Sequence, residues 1–201
     1  MILPRLLVLT DRTQCHSVTA AVSTAVAHGA RAVVLREKDL PPDERAALAD
    51  ALRDLLDPVD GLLILAGRPD LAGKSLVDGV HLAAGDPVPP VRPPILGRSC
   101  HDAAELARAT GDGCDYVTLS PVFPSPSKPG YGPPLRPSGL ADVGRSSSGP
   151  LVYALGGVTP DRVADCRSAG AYGVAVMGSA MREPRIVADF LSALESTSED
   201  A

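Results

Sequence analysis

The most regular feature of this sequence is an alternation between short apolar runs and segments whose apolar residues recur at helical spacing. The runs are almost wholly apolar, as expected for parallel strands that are covered on both faces. Alternating strands and helices are typical of a parallel α/β protein. We predict eight strands, at residues 6–9, 32–35, 62–65, 79–82, 95–97, 116–119, 152–155 and 174–176.

Segments of helical period separate most of these strands. We predict helices at residues 18–27, 43–56, 103–110, 161–169 and 185–194. Thr159 and Pro160 precede the fourth helix, which predicts a hydroxyl N-cap followed by proline at the first helical position. Gly29, Gly111 and Gly170 stand where helices should end, and we expect each to adopt the left-handed conformation of a C-cap.

Eight strands with intervening helices predict an α/β fold of the (β/α)₈ TIM barrel type, with residues 1–201 forming a single domain. Two of its units look degenerate. Residues 83–94, after the fourth strand, are too rich in proline for a helix, and residues 69–76, after the third, have room only for a short one. We expect the tail at residues 196–201 to be frayed.

The composition and charge of the chain argue against several classes of binding partner. A net charge of -5, with 3% aromatic residues and no tryptophan, argues against a nucleic acid. No apolar run approaches the roughly 20 residues that cross a bilayer. Because Pro4 and Arg5 interrupt the apolar N-terminal segment, we predict a first strand rather than a signal peptide, and a cytoplasmic protein without a membrane partner. The four cysteines form no CxxC pair, so we expect buried thiols. A homo-oligomer stays an open option.

The ends of the last two strands predict a phosphate site. Gly156 and Gly157 follow the seventh strand, and Gly178 and Ser179 follow the eighth. In TIM barrels these two loops often bind phosphate, because bare backbone N–H groups and helix N-termini face the anion there. The alternative is that both loops are only tight strand-to-helix turns, in which glycine is common.

Charged residues at the end of the second strand predict another anion site. Strand alternation would place Arg36 and Lys38 on one face and Glu37 on the other, unless the chain turns. Two cations aimed at the barrel mouth suit a diphosphate, whereas the alternative is a solvated charge run.

The long loop after the sixth strand is a second candidate for substrate contact. Its prolines would hold Ser125, Ser127 and Lys128 over the site, and two glycines would permit movement. The alternative is an ordinary surface connection.

Further polar residues follow the fourth and fifth strands. Asp86 follows the fourth strand, Arg98 and Ser99 follow the fifth, and we expect Ser99 to bind the substrate. His81 ends the fourth strand, where a hydrogen-bonded core histidine is the more common case and an acid/base group the alternative. His101 begins a helix and is expected at the surface or in a cap.

Several motifs, taken in order, resemble the thiamine-phosphate synthase/TenI group over nearly the whole chain. They are Leu-Thr-Asp at 9–11, Leu-Arg-Glu-Lys at 35–38, Asp-Gly-Val-His-Leu at 78–82, Gly-Arg-Ser-Cys-His at 97–101, Asp-Tyr-Val at 115–117, Pro-Val-Phe-Pro-Ser-Pro-Ser-Lys at 121–128, Leu-Gly-Gly-Val-Thr-Pro at 155–160 and Gly-Val-Ala-Val-Met at 173–177. The resemblance implies a TIM barrel that holds a thiazole phosphate at the Gly156–Gly157 and Gly178–Ser179 loops.

The group contains two chemistries, and this sequence departs from both. The synthase joins hydroxymethylpyrimidine diphosphate to the thiazole phosphate with Mg²⁺. The resemblance assigns Arg36, Lys38 and Lys128 to its diphosphate and Asp86 to its metal. The synthase pattern has glutamine where this chain has Val34, and Asn-Asp where it has Ala66-Gly67, so one of two magnesium ligands is missing.

The tautomerase branch resembles this chain at the altered positions. It too has glycine at the place of Gly67, and its site contains a glutamate that matches Glu37. Its general-base histidine would fall at Pro121, which carries no proton. We expect a TenI-like thiazole tautomerase without a cofactor, using Glu37 and His81 as acid/base groups. The alternatives are a divergent Mg²⁺-dependent synthase, a non-catalytic binding or regulatory protein, and an enzyme for another heteroaromatic phosphate.

Overall fold

In the computed structural model, which describes residues 2–67, 77–124, 134–144 and 149–197, eight parallel strands close into a barrel. Each strand pairs with the next one in sequence, and the last pairs with the first. This confirms the predicted TIM barrel. The strands are β1 (Leu6–Leu9), β2 (Ala32–Leu35), β3 (Leu62–Ala66), β4 (Gly79–Leu82), β5 (Ile95–Cys100), β6 (Tyr116–Leu119), β7 (Leu151–Leu155) and β8 (Gly173–Val176).

The five predicted helices are all present, and the last two each begin with a turn of 3-10 helix. Two further helices occur in the described part of the chain, after β6 and directly after β8. The helices are α1 (Val18–Ala27), α2 (Pro42–Leu56), α3 (Ala103–Gly111), α4 (Arg136–Gly144), α5 (Val163–Ser168), α6 (Gly178–Arg182) and α7 (Val187–Ser196). No helix in the described ranges is long and apolar enough to cross a membrane.

Helix α4 was not predicted because its own sequence is poor in helix-forming residues. Proline and glycine occur within it, and both lower helix propensity. Tertiary contacts stabilise it instead. Leu140 is fully buried, and the N–H groups of Leu135 and Arg136 donate to the carbonyls of the loop after β6.

Two predicted helix-end details were wrong. Thr159 is at the N-cap before Pro160, but its side chain makes no capping hydrogen bond. Gly111 is the last residue of α3, and the left-handed residue is Gly113, with φ of +68°. Gly29 and Gly170 have the expected positive φ, 102° and 94°.

The segment between β4 and β5 contains no helix, as its prolines predict, since residues 83–94 form only turns and bends. Most of the segment after β3 lies outside the described residues, and so does the end of the expected frayed tail. Residues 196 and 197 still belong to the end of α7 and its C-cap.

Alternate strand residues separate the two layers of the core. One cluster comes from the barrel interior and includes Val34, Ala66 and Tyr116. The other combines the intervening strand positions with helical residues such as Leu52 and Phe190, and it fills the layer between barrel and helices. The two apolar departures from the synthase pattern, Val34 and Ala66, therefore line the barrel interior.

Candidate functional site

The last two strands place the predicted phosphate loops side by side. β7 pairs with β8 through Leu155 and Ala175, so the loops that follow leave neighbouring strands at the same end of the barrel. Gly178 and Ser179 form the start of α6. The first N–H groups of a helix have no acceptor within it, so this end can receive an anion.

The glycines of the β7 loop also have a packing role. Gly156 and Gly157 have φ of +92° and +64°, which favours glycine. A Cβ on Gly157 would lie 2.4 Å from the carbonyl oxygen of Pro124. Phe123 N–H donates to the Gly156 carbonyl over 2.9 Å. The loop after β6 therefore requires glycine here whether or not phosphate binds, and phosphate binding at these residues stays a prediction.

Arg162 supports this loop and was missed from the sequence. Its guanidinium donates to the Gly157 carbonyl over 2.9 Å and lies 4.7 Å from the centre of the Phe123 ring. An arginine in the first turn after a Gly-Gly loop was the only signal that could have drawn attention to it.

Glu37 joins the loops that follow β1 and β2. One carboxylate oxygen accepts from the Thr10 hydroxyl and from Arg36 N–H, the latter over 3.1 Å. The other accepts from Arg12 N–H over 2.8 Å. The residue is 4% exposed. These contacts favour a structural role, and the acid/base role predicted for Glu37 stays a prediction.

Arg36 and Lys38 do not share a face, because β2 ends at Leu35 and the chain turns there, the exception that the expected alternation allowed. The Arg36 guanidinium contacts Met177 Sδ, at the end of β8, and the Thr10 carbonyl. Lys38 Nζ instead lies 3.9 Å from Asp86 Oδ2, after β4. The positively charged groups of Arg36 and Lys38 therefore lie on opposite sides of the barrel mouth.

His81 lies in the barrel interior within hydrogen-bond distance of two hydroxyls. Nδ1 is 3.0 Å from Tyr116 Oη, and Nε2 is 2.9 Å from Ser99 Oγ. Burial, reinforced by the nearby positive charges of Lys38, Arg36 and Arg98, lowers the pKa of His81 to about 3.

The neutral ring of His81 has a preferred tautomer. A buried hydroxyl that donates to nothing is costly, so we assign the proton to Nε2, with Tyr116 donating to Nδ1. Ser99 Oγ then accepts from His81 and can donate toward the mouth. This hydrogen-bonded core histidine matches the more common case, and its catalytic role stays a prediction.

Arg98 is a structural residue in this fold. Both Arg98 and Ser99 lie inside β5, not after it as expected, and the Arg98 side chain is fully buried on the helix side of the strand. One terminal nitrogen donates to the carbonyls of Ala83, Ala84 and Asp86, and the other donates to Asp112 over 2.9 Å. These hydrogen bonds from Arg98 stabilise the loop after β4, where the barrel has no helix.

Ser125, Ser127 and Lys128 lie outside the described residues. The described part of their loop, residues 120–124, packs against the β7 loop. Pro121 contacts Gly156 so closely that a Cβ on that glycine would lie 3.0 Å from the proline ring.

His101, expected at the surface or in a cap, is half-buried, and its N–H and ring both bond Glu105.

The residues near Asp86 do not fit the magnesium site that the resemblance implies for a synthase. Gly67 offers no side chain, and the Lys38 stem lies 3.1 Å from where its Cβ would be. Asp86 Oδ2 accepts from Ala83 N–H over 2.8 Å. Within the described ranges, no group of three or more His, Cys, Asp or Glu side chains could hold a metal ion.

Comparisons with known proteins agree along most of the chain. Residues 6–180 match the family model described as thiamine monophosphate synthase. The thiamine-phosphate synthase of Methanoculleus marisnigri is 38% identical over 191 residues, which cover 91% of this chain and 90% of that protein. That of Roseiflexus castenholzii is 36% identical over 185 residues, covering 88% and 81%.

A solved structure supports the same assignment. Thiamine phosphate pyrophosphorylase from Pyrococcus furiosus superimposes with a TM-score of 0.84 and 27% identity, over 96% of each chain. The barrel, the ordered motifs at its mouth and these matches agree with one another. The chain therefore belongs to the thiamine monophosphate synthase family of thiamine biosynthesis.

Proposed function

We propose that this chain is a transferase that joins a pyrimidine diphosphate to a thiazole phosphate. The observation that carries the proposal is the divergence of Arg36 and Lys38, which places one cation beside β8 and the other beside β4. The barrel mouth then has two corners at which an anion can bind. The first lies beside β8 and contains Arg36, and the second lies beside β3 and β4 and contains Lys38. Two phosphorylated substrates need two such corners, whereas an isomerase acting on one phosphate needs one.

The first corner suits the monophosphate of the thiazole, and this use of Arg36 departs from the resemblance, which assigns that residue to the diphosphate. Arg36 contacts Met177, the residue directly before Gly178, so its positive charge lies close to the loop that begins α6. Backbone N–H groups supply neutral donors there, and a guanidinium adds a charged donor that phosphate binds well. Gly156 and Gly157 complete this corner from the neighbouring strand.

The transfer itself needs no base at the thiazole. The carbon–oxygen bond of the pyrimidine diphosphate breaks, and diphosphate leaves with the bonding electrons. The lone pair of the thiazole nitrogen then forms the new carbon–nitrogen bond. No proton is removed from that nitrogen, so the enzyme has to stabilise the negative charge of the leaving group and orient both substrates. Glu37 and His81 are already hydrogen-bonded to neighbouring groups, which is compatible with a reaction that needs no base.

Thiazole tautomerisation is the second candidate, supported by the glycine at position 67. That reaction needs a group that accepts and returns a proton. Glu37 could do so only by giving up one of its present donors, Thr10, Arg12 N–H or Arg36 N–H. The geometry therefore supports the transferase better. The names of the two relatives described above, both thiamine-phosphate synthases, point the same way.

A direct assay separates the candidates. The full chain is incubated with hydroxymethylpyrimidine diphosphate and the thiazole phosphate, and thiamine phosphate and diphosphate are measured by chromatography. We expect the two products in equal amounts. Deuterium exchange into a carboxythiazole phosphate tests the tautomerase in a parallel reaction.

The matched variants are Arg36→Met and Arg31→Met, because Arg31 lies just before β2 at the opposite end of the barrel. We expect Arg36→Met to lower kcat/KM about tenfold or more and Arg31→Met to leave it unchanged. Deuterium exchange without thiamine phosphate would replace the proposal by the tautomerase. Binding of thiazole phosphate with neither reaction would indicate a regulatory binding protein.

A further inference from the structure

The corner between β3 and β4 contains a cation supplied by the chain itself. The Lys38 side chain crosses over Gly67, with Cδ and Cε 3.4 and 3.1 Å from the position of a Cβ on that glycine. Nζ lies 3.5 Å from the same position. A side chain at residue 67 would compete with the lysine for this space. The ammonium group therefore occupies the place from which a side-chain ligand at this position would act.

The Lys38 ammonium is directed at Asp86. Nζ lies 3.9 Å from Oδ2 of that carboxylate, and the same oxygen accepts from Ala83 N–H over 2.8 Å. A divalent ion added here would be repelled by the ammonium and would have to displace it. The lysine side chain is 47% exposed, so its ammonium can still meet a ligand that enters from the mouth.

Buried contacts hold this corner in place. The Asp86 carbonyl accepts from the fully buried Arg98 over 2.8 Å, which fixes the loop that presents the carboxylate. Gly67 N–H donates to the His81 carbonyl over 2.8 Å, which fixes the backbone under the lysine stem. The arrangement of Lys38, Gly67 and Asp86 is thus a product of the barrel and its buried arginine.

We propose that the Lys38 ammonium is the resident cation of the β3–β4 corner in place of a divalent metal, so that the diphosphate contact implied for Lys38 by the family resemblance requires no metal ion. The lysine donates to the phosphate oxygens, and Asp86 orients the ammonium from the other side. The identity of the substrate that carries the diphosphate rests on the proposed function. The independence of diphosphate binding from a divalent metal does not.

Calorimetric titration with inorganic diphosphate tests this without turnover. The full chain is titrated once in EDTA and once in excess Mg²⁺. We expect dissociation constants that agree within about threefold for the wild type, because either solution leaves the lysine in place. In EDTA, Lys38→Met should bind diphosphate about ten- to a hundredfold more weakly, the usual loss for a charge-assisted hydrogen bond.

Methionine is chosen because it keeps an unbranched stem over Gly67 and removes only the charge. Arg31→Met is the matched control, because it removes one positive charge just before the start of β2, at the opposite end of the barrel. Its affinity should equal that of the wild type. Binding that appears only with Mg²⁺, absence of binding in EDTA, or wild-type affinity in Lys38→Met would each overturn the proposal.

A second measurement rebuilds the competing metal site. The double variant Lys38→Ala/Gly67→Asp removes the ammonium together with the stem over residue 67 and places a carboxylate opposite Asp86. Aspartate tolerates the φ of +74° at residue 67 better than most residues. With Mn²⁺ as the probe, electron paramagnetic resonance should show binding at least about tenfold tighter than in the wild type. Equal Mn²⁺ affinity in the two proteins would contradict the inference.

The two proposals fail in different ways. Metal-free diphosphate binding that depends on Lys38, without formation of thiamine phosphate, would remove the transferase and leave the lysine site. Formation of thiamine phosphate together with strictly Mg²⁺-dependent diphosphate binding would leave the transferase and remove the lysine site.

Discussion

The ring of Tyr116 lies directly over the Cα of Gly97, so that a Cβ on this glycine would be 2.1 Å from Cζ of the tyrosine. The two residues are paired neighbours on β5 and β6. Tyr116 is fully buried, and its ring stacks on His81 at a centroid distance of 5.5 Å. Gly97 thus makes room for the aromatic ring that supports the floor of the site.

Gly97→Ala should therefore destabilise the fold. Overpacking a closed core costs about 1–3 kcal/mol, and this contact lies at the upper end because the ring has rigid neighbours. Urea unfolding followed by circular dichroism measures the change. The control is Gly111→Ala, at the end of α3, where a Cβ would meet nothing within 4 Å. Equal stability of the two variants would contradict the packing argument.

The buried His81 predicts a fall in stability at acid pH. Its pKa is lowered to about 3 in the folded state, first by burial and then by nearby cations. The unfolded chain, in which histidine has a pKa near 6.5, binds the additional proton as the pH falls below that value. The contribution is therefore fully present above pH 6.5 and is progressively lost toward pH 3, by about 2 kcal/mol at pH 5.

Free energies of unfolding between pH 4 and pH 8 check this expectation. His81→Gln removes the titrating group, so its stability should vary less steeply with pH than that of the wild type. Ser99→Ala keeps the histidine and should give a curve parallel to the wild type. Parallel curves for wild type and His81→Gln would show that the histidine makes no such contribution.

Arg98→Lys should be strongly destabilising although the charge is kept. Lysine cannot reach three carbonyls and a carboxylate from one position, so buried acceptors would lose their donors. We expect a loss of about 3 kcal/mol in chemical unfolding. Arg108→Lys is the matched control, because Arg108 approaches the same Asp112 at 3.9 Å from a half-exposed position. Its effect should stay within about 0.5 kcal/mol.

The variants Glu37→Gln and Thr10→Val together distinguish a structural role of Glu37, in which it holds two loops, from a role as a catalytic base. If Glu37 only holds the loops after β1 and β2, both variants should lose about 1–3 kcal/mol of stability and similar fractions of kcat/KM for transfer. A base role would show differently, because Thr10→Val keeps the carboxylate. Deuterium exchange abolished in Glu37→Gln and retained in Thr10→Val would establish that role.

The strands and most helices could be predicted because their signals are local. An apolar run such as 62–65 has one favourable state in a closed barrel, and a periodic segment such as 18–27 buries one face of a helix. Helix α4 could not be predicted, since its stability comes from Leu140 and from carbonyls of a distant loop. The strand β5 was cut short at Gly97 because a charged residue follows it.

The candidate site was predictable in position and less so in detail. Parallel strands bring their carboxyl ends to one mouth, so the residues after each run were expected there. The direction of each side chain depended on contacts between loops. Arg36 turned toward β8, Lys38 toward β4, and Glu37 inward beneath both loops, and no local pattern distinguishes these outcomes.

By itself, the sequence determined the barrel, its strand order and the family, because apolar runs and ordered motifs act through local preference and burial. Only the tertiary structure decided which charges meet. The pairing of Lys38 with Asp86 over Gly67, and of Arg98 with the β4 loop, depends on distances between segments far apart in sequence. Electrostatic and hydrogen-bond energies change steeply over such distances, so the chemistry of the mouth follows from the closed fold.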